Sequence, residues 1–280
     1  MKTKHVIFLH IPKTAGTTLH TILDRQYAPE TIHSFDGDAH GSTKAFKALP
    51  AERRDKIALL RGHMAYGLHE FFAGETTYFT VLRDPVKRVI SEYNYILRTP
   101  PHYLYDFVTE NKLDLRGTLD SGEALMMNDA CVRLLSGVWG DVGYMECTPD
   151  MLAVAKKRLD EMIVGLTERF DETVCLLRNE LGWEAPITYE RKNVTRSGVA
   201  KEGLDRETLA TIEKANQLDM ALYAHGQKRF EEQLKAQGVL FPAQVGLLRL
   251  NNRYGYLYWR LRRYSVRVYV KNLWRKLGSF

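Results

Sequence analysis

Residues 5–19 read HVIFLHIPKTAGTTL, and this stretch decides the fold. The apolar run VIFL at residues 6–9 has the length of one buried strand. Pro12 ends that run, and a helical pattern begins at Leu19. A strand, a tight loop and a helix in succession place backbone N–H groups and the positive end of a helix around an anion. We therefore expect the loop to hold a phosphate group.

The side chains of the loop suit an anionic ligand. Lys13 supplies a positive charge, and Gly16 has no side chain to block the ligand. The nucleotide-phosphate loop of many ATPases requires a glycine directly before the lysine, whereas Pro12 stands there in this chain. The loop thus differs from that motif. The expected binding set is Pro12, Lys13, Thr14, Ala15, Gly16, Thr17 and Thr18.

A second apolar run, IALL at residues 57–60, predicts another strand and leads into Arg61-Gly62-His63. Polar residues that follow a parallel strand lie at the edge where open α/β sheets bind ligands. Histidine is also the side chain whose ordinary pKa lets it accept a proton near neutral pH. His63 is therefore the candidate general base.

A third strand is predicted at residues 78–82 and ends at Arg83. Asp84 followed by proline is a strong helix start. Apolar residues at spacings of three and four then predict one buried helix face, formed by Val86, Val89, Ile90, Tyr93 and Leu97. An arginine at the strand tip and the hydroxyl of Ser91 on this helix can together hold a second, separate phosphate.

The remaining pattern predicts an α/β chain. Helices are expected at residues 19–27, 123–135, 149–161 and from 167, a loop-like segment at 99–118, a fourth strand at 163–166, and one long helix at 205–237. The fold class is a P-loop-like three-layer fold with a central, mainly parallel sheet flanked by helices, and with a basic C-terminal helical extension.

Composition indicates a soluble globular protein, with 45% hydrophobic and 26% charged residues among 280. The sequence contains no apolar run long enough to span a membrane, and the first strand begins too early for a signal peptide. The three cysteines are odd in number and widely spaced, so we expect reduced thiols without a metal site. These features favour a cytoplasmic location.

The basic charge is concentrated at the C-terminus. Residues 243–280 contain nine lysines and arginines and no acidic residue, interleaved with tyrosines and tryptophans. We divide the chain into a body, residues 1–242, and this extension. An anionic membrane surface, an anionic glycan or partner chain, nucleic acid, and simple packing on the body are all compatible with the pattern. Membrane or glycan docking is favoured, and no nucleic acid is expected.

Two segments carry a resemblance to a known family. The loop PKTAGTT at residues 12–18 resembles the 5′-phosphosulfate loop of sulfotransferases that use 3′-phosphoadenosine 5′-phosphosulfate (PAPS). It is most similar to the branch of the heparan sulfate 2-O-sulfotransferases and their bacterial relatives. The segment LRDPVKRVISEY at residues 82–93 resembles the 3′-phosphate motif of the same enzymes, with Arg83 and Ser91 as the matching residues.

The resemblance implies roles for further residues. The 2-O branch has a His-Gly-His segment whose histidines act as the catalytic base; here Arg61 replaces the first histidine, so only His63 carries over. A basic loop that closes over the nucleotide in the family lies within residues 187–201 here. Its matching candidates are Arg191, Lys192, Asn193 and Thr195.

The function implied is transfer of the sulfuryl group from PAPS to an acceptor hydroxyl, in first place on a glycan, with PAP as product and no metal. His63 would take the acceptor proton, and Lys13 would stabilise charge on the leaving oxygen. Golgi members carry an N-terminal anchor that this sequence lacks, which favours a bacterial, cytoplasmic enzyme in peripheral contact with a membrane through residues 243–280.

Two other functions are weighed against this one. A P-loop kinase using ATP and Mg²⁺ is disfavoured because the loop glycine is displaced and no clear apolar strand ends in a metal-binding aspartate. Two phosphate sites in one cleft also fit PAPS and do not fit ATP. A glycan-binding protein that has lost catalysis is disfavoured because Lys13, His63 and Arg83 are all present.

Overall fold

The computed structural model describes residues 4–35, 39–189 and 199–254. The described residues form a sheet of strands β1 Lys4–Leu9, β2 Ile32–Ser34, β3 Leu59–Gly62, β4 Glu75–Leu82 and β5 Ile163–Leu166. The strand order is β2-β3-β1-β4-β5, and every pairing is parallel. The predicted central parallel sheet is therefore confirmed.

Helices flank this sheet. In chain order they are α1 Gly16–Gln26, α2 Ala39–Lys47, α3 Ala51–Arg54, α4 Pro85–Arg98, α5 Tyr105–Glu110, α6 Leu115–Asp120, α7 Ala130–Leu135, α8 Pro149–Asp160, α9 Phe170–Leu181, α10 Arg206–Ala215, α11 Gln217–Ala236 and α12, residues 241–254. One hydrophobic core surrounds the sheet, and a second, smaller core joins α4, α5, α6 and α10.

The central strand β1 explains why the site forms where it does. Its residues after Lys4 are buried, as expected for a parallel strand covered on both faces. Leu9 pairs with Gly62 of β3, and Phe8 stacks on Phe79 of β4 with ring centroids 4.6 Å apart. The carboxyl ends of β1, β3 and β4 therefore lie side by side, and the residues that follow them meet at one edge.

Helix α4 begins as the sequence predicts. An oxygen of Asp84 accepts a hydrogen bond from the backbone N–H of Lys87 at 2.9 Å, and a proline occupies the first helical position. The prediction that Leu97 is buried is wrong, because Leu97 is 41% exposed and Ile96 is buried instead. Ile96 follows Val89 by two full turns, which keeps it on the buried face.

Two local predictions between residues 99 and 135 are wrong. The segment expected to be a loop contains α5 and α6, and Asp114 caps α6 by accepting from the N–H of Gly117 at 2.7 Å. The single helix expected at residues 123–135 is a short 3-10 turn followed by α7. Asp129 separates them in the left-handed conformation with φ of 42°, which aspartate tolerates better than most residues.

The long helix predicted from residue 205 begins as expected, because Asp205 caps α10. It does not continue to residue 237 without a break: Asn216 leaves the helical conformation, with φ of −132°, and separates α10 from α11. The Asn216 side chain is fully buried and donates to the carbonyls of Met127 and Ile212 at 2.8 and 3.0 Å. A buried polar residue that serves two elements interrupts the helix there.

Helix α12 starts the basic extension and packs on the body. Phe241, Val245 and Leu248 are buried in the main core. Asn252 accepts a hydrogen bond from the backbone N–H of Tyr189 at 3.1 Å. Residues 255–280 lie outside the described part of the chain, so the division between residues 242 and 243 stays a prediction.

The three cysteines are free thiols, as the sequence predicts. Among the described helices, none combines the length and the apolar composition needed to cross a bilayer.

Candidate active site

The loop between β1 and α1 has an unusual backbone. Lys13 and Ala15 adopt the left-handed conformation, with φ of 68° and 65°. Such conformations are strained for residues with a side chain and occur often at ligand sites. Ala15 contributes no capping side chain to α1, and the first turn of α1 contains no acidic residue. The positive end of the helix therefore keeps its affinity for an anion.

Arg83 lies against this loop. It follows β4, the neighbour of β1, and its Nη1 donates a hydrogen bond to the carbonyl oxygen of Lys13 at 3.0 Å. Ser91 lies on α4 one turn before Tyr95, whose ring contacts Lys13. The structure thus brings Lys13, Arg83 and the Ser91 face of α4 together at one edge of the sheet.

The ammonium group of Lys13 lies 3.6 Å from the centroid of the Tyr95 ring, which is a close cation–π contact. Burial lowers the pKa of Lys13 to about 8; the carboxylate of Glu92 opposes that decrease, and the guanidinium groups of Arg98 and Arg83 add to it. Lys13 therefore stays mostly charged at pH 7 in a partly desolvated place, where its charge acts more strongly than in water.

His63 has the geometry of a base. Its Nδ1 lies 2.8 Å from the carbonyl oxygen of His10. A carbonyl only accepts, so we assign the hydrogen to Nδ1, which leaves the lone pair on Nε2. Burial lowers the pKa of His63; the hydrogen bond to His10 and the charge of Glu92 oppose this shift, and Lys13 adds to it. The ring is therefore neutral near pH 7 and can accept a proton.

Two further histidines lie near His63. The His10 ring stacks on His63 with centroids 4.4 Å apart, and the His20 ring meets His10 edge-on at 5.2 Å. Burial and the neighbouring rings lower the pKa of His10 well below its ordinary value, and burial lowers that of His20 to about 4. The three rings are thus neutral at physiological pH, and the His10 ring packs against the face of the His63 ring.

Gly16 has a second role that the sequence did not reveal. A Cβ at this position would lie 1.9 Å from Nε2 of His10. The glycine therefore makes room for the imidazole that stacks on His63, in addition to leaving the loop open.

Glu92, the residue after Ser91, is a buried acid that the sequence reasoning missed. One of its oxygens lies 3.3 Å from Nε2 of His102, and it is 6% exposed. Burial raises its pKa, but the hydrogen bond from His102 and the charges of Lys13, His102 and Arg88 prevail and hold the pKa below its ordinary value. Glu92 is therefore a buried carboxylate that stays ionised.

The basic loop predicted at residues 187–201 is described only at its two ends. Arg191, Lys192, Asn193 and Thr195 lie outside the described residues, and their nucleotide role stays a prediction. The chain just after them is fixed, because Val199 and the Asn94 side chain exchange two hydrogen bonds of 2.8 and 3.0 Å. Asn94 follows Ser91 by three residues on α4, so the segment rejoins the body beside the predicted 3′-phosphate position.

The sequence gives only weak indications of the three site residues that were not predicted, His10, His20 and Glu92. His10 directly follows β1, and His20 follows Gly16 by one turn of α1, so both lie close in sequence to the loop between β1 and α1. Glu92 lies inside the motif that identified Ser91. None of these positions forms a spacing that marks a site by itself.

A cavity of about 670 Å³ lies elsewhere, between α9, α12 and residues 184–188. Arg25 and Gln26, at the far end of α1 from the loop, bond to Thr188 and Ala185 of that segment. Among the described residues, none that lines this cavity belongs to the predicted site, so the site is identified by its chemistry rather than by cavity size.

Within the described ranges, no three histidine, cysteine or acidic side chains are grouped so as to hold a metal ion. A reaction without metal stays a prediction.

Comparison with known proteins shows the family of this chain. A model of the galactose-3-O-sulfotransferase family matches residues 1–253. Galactose-3-O-sulfotransferase 2 of Mus musculus is 26% identical over 268 residues, which cover 86% of this chain and 65% of that protein. Heparan-sulfate 6-O-sulfotransferase 1 of Homo sapiens is 27% identical over 280 residues, covering 81% and 66%. This chain thus spans about two thirds of the length of these relatives.

A crystal structure of the mouse sulfotransferase SULT7A1 complexed with PAP covers 82% of this chain and 89% of that one, with a TM-score of 0.46 and 12% identity. The prediction of a PAPS-dependent sulfotransferase from two motifs is confirmed. These relatives are named as 3-O and 6-O enzymes, so the similarity to the 2-O branch is limited to the motifs. Because the family model matches most of its length, the chain belongs to the galactose-3-O-sulfotransferase family.

Proposed function

We propose that this chain transfers the sulfuryl group of PAPS to a hydroxyl of a glycan. One observation carries the proposal: Arg83 lies against the Lys13 loop at 3.0 Å, at the sheet edge that also holds His63. Two cationic groups from neighbouring strand ends suit a nucleotide with a phosphate at each end. The relatives' names support a glycan acceptor.

The residues present fit the donor. The loop of residues 12–18 and the uncapped start of α1 would hold the 5′-phosphosulfate, with Lys13 as its cation. Arg83 and Ser91 would hold the 3′-phosphate.

The chemistry follows from two side chains. PAPS supplies the sulfuryl group and departs as PAP. Nε2 of His63 takes the proton of the acceptor hydroxyl, while the His10 carbonyl fixes the orientation of the ring. The ammonium of Lys13 provides positive charge where negative charge grows on the leaving oxygen.

A transfer assay tests the proposal. The full chain is incubated with labelled PAPS and two acceptor sets, galactose-terminated oligosaccharides and desulfated heparan fragments. We expect label in a glycan product and inhibition by PAP but not by ADP. Label from ATP in place of PAPS, or inhibition by ADP alone, would support the kinase alternative and contradict the proposal.

We also propose that α12 contacts an anionic membrane surface. Its buried residues face the core, and Leu247, Leu250 and Tyr254, spaced by three and four, lie on the opposite face, each more than half exposed. The preceding turn adds Val239 at 94% exposure. The sequence after residue 254 adds seven lysines and arginines and no acidic residue. An apolar stripe that is followed in the sequence by positive charge suits an anionic lipid surface.

Vesicle sedimentation tests this contact. We expect the full chain to sediment with vesicles containing phosphatidylglycerol and much less with neutral phosphatidylcholine. Replacing Leu247 and Leu250 by glutamate is expected to weaken binding at least about tenfold, since each buried leucine contributes about 1.5–3 kcal/mol. Equal sedimentation of this variant would refute the contact. A cytoplasmic, bacterial setting stays a prediction; the relatives named above are animal proteins.

A further inference from the structure

Glu92 is not explained by the roles assigned so far. Within the described chain, its Oε2 has no hydrogen-bond partner although the residue is buried. A buried carboxylate oxygen without a partner is unfavourable unless a charge nearby compensates for it. His102 occupies only the other oxygen, at 3.3 Å.

The charges of Lys13, His102 and Arg88 stabilise the Glu92 carboxylate, and contacts around Tyr95 place Lys13 near it. Tyr95 follows Glu92 by three residues, so the two side chains are neighbours on the surface of α4. The Lys13 ammonium lies over the Tyr95 ring at 3.6 Å, and the His102 ring meets Tyr95 edge-on at 5.7 Å. Contacts thus run from Lys13 of the donor loop to Tyr95, from Tyr95 to His102 and from His102 to Glu92.

We propose that Glu92 positions Lys13: its buried carboxylate, held by His102, keeps the lysine charged on the Tyr95 ring until the donor binds. The proposal rests on the proposed function, since Lys13 is useful only where a leaving phosphate develops charge. Glu92 acts through Lys13 and is a positioning residue.

The other charges around Lys13 oppose Glu92. Arg98 on α4 and Arg83 after β4 both disfavour its charged form, as does its own burial. Within the described chain, His10 and His63 also interact electrostatically with Lys13, but both rings are neutral. Glu92 is the carboxylate that favours the charged form. Without it, Lys13 would lose its proton closer to neutral pH.

The test is a titration of Lys13 in the donor-free protein. Lysines are ¹³C-dimethylated, which keeps their charge, and the Lys13 signal is assigned with Lys13→Arg. We expect a wild-type midpoint near pH 8. In Glu92→Gln the midpoint is expected to fall by about one unit, because an opposite charge nearby is removed. The alkaline limb of kcat/KM should move by the same amount.

Two further variants complete the test. Glu110→Gln removes an equal charge from an exposed site on α5 and should leave the midpoint unchanged. Glu92→Asp moves the carboxylate back by one methylene, so the midpoint should fall by less than in Glu92→Gln. If Glu92→Gln does not fold, Glu92→Asp is used for the titration instead. An unchanged midpoint in the folded Glu92 variants, with only a lower Tm, would overturn the proposal.

The titration needs no donor and no acceptor. A wild-type protein that transfers no sulfate would remove the proposed function while the titration still reported on Glu92. Conversely, an active enzyme with an unmoved Lys13 midpoint would remove only the role of Glu92.

Discussion

Two buried polar clusters in this molecule invite comparison. One, the junction network, joins α4, α7 and the break between α10 and α11. The other is the site at the ends of β1, β3 and β4. Both contain charged side chains shielded from water, yet they differ in how completely those side chains are bonded. The difference separates polar residues that hold the fold from those that meet a ligand.

The junction network is almost completely satisfied. Asp219 accepts from the backbone N–H groups of Cys131 and Val132 at 3.1 and 2.9 Å and faces Arg88 at 3.7 Å. Asn216 receives a hydrogen bond from Arg88 and one from the N–H of Asp129. Among these groups only Nε of Arg88 lacks a partner within the described residues. Such a network specifies one packing of the helices.

The site is bonded less completely. Oε2 of Glu92 and Nε2 of His20 have no partners in the described chain, Lys13 is in a strained conformation, and the pKa of Lys13 is displaced by burial. Unmet polar groups and backbone strain are unfavourable for stability and are typical of functional sites. The comparison predicts that substitutions at the site change activity, whereas substitutions in the network change stability.

The largest effect is expected from His63→Ala. Loss of a general base lowers turnover by about 10²–10⁴-fold. PAP affinity should stay near wild type, because the ring holds the acceptor proton and not the nucleotide. Turnover and calorimetric affinity measured on the same preparation check this, and unchanged turnover would remove His63 from its role.

In the junction network, Asp219→Ala is expected to lower the free energy of unfolding by about 3–5 kcal/mol, since it leaves Arg88 buried without its counter-ion. Urea unfolding measures the change. Asp160→Ala is the matched control, because its pair with His225 is half exposed and worth at most about 1 kcal/mol. If folded Asp219→Ala protein also lost its affinity for PAP, the claim that the junction network acts on stability and not on the site would be wrong.

Gly16→Ala should act on both properties. The added Cβ collides with the His10 ring, and such overpacking destabilises by about 1–3 kcal/mol. Turnover should fall too, because His10 supports His63. Gly246→Ala on α12 is the control, since a Cβ there meets nothing within 4 Å. Equal behaviour of the two variants in thermal unfolding would contradict the packing argument.

A smaller effect is expected in the pH profile of kcat/KM, which reports on the free enzyme. His63 must be neutral, and burial lowers its pKa, so activity should rise with a midpoint below 6.5. Lys13 must be charged, so activity should fall with a midpoint near 8. An acid limb above pH 7 would mean that another group is the base.

Short-range patterns allowed the main elements to be predicted. β1 and the start of α4 were predicted because an apolar run, a proline and an aspartate cap act locally. α5 and α6 were missed because their sequences are short and weakly periodic. The break at Asn216 depends on partners about 90 residues away in the chain, Met127 and Asp129, which no local pattern reveals.

The same limit applies to the site. Lys13, His63 and Arg83 were predicted because each follows a strand, and parallel strands end at one edge. Glu92 and His10 became visible only when the fold placed them beside Lys13 and His63. Their importance comes from burial and contact, which spacing alone does not show.

The most direct test of the account compares PAP with 5′-AMP, which lacks the 3′-phosphate, by calorimetry on wild type and on Arg83→Ala. The account predicts that wild type prefers PAP by about 10–100-fold, as expected for one charge-assisted contact of about 1.5–3 kcal/mol. Arg83→Ala should lose most of that preference while binding 5′-AMP nearly as before. If Arg83→Ala weakened both nucleotides equally, or neither, the guanidinium would serve only the Lys13 carbonyl and the second phosphate site would be refuted.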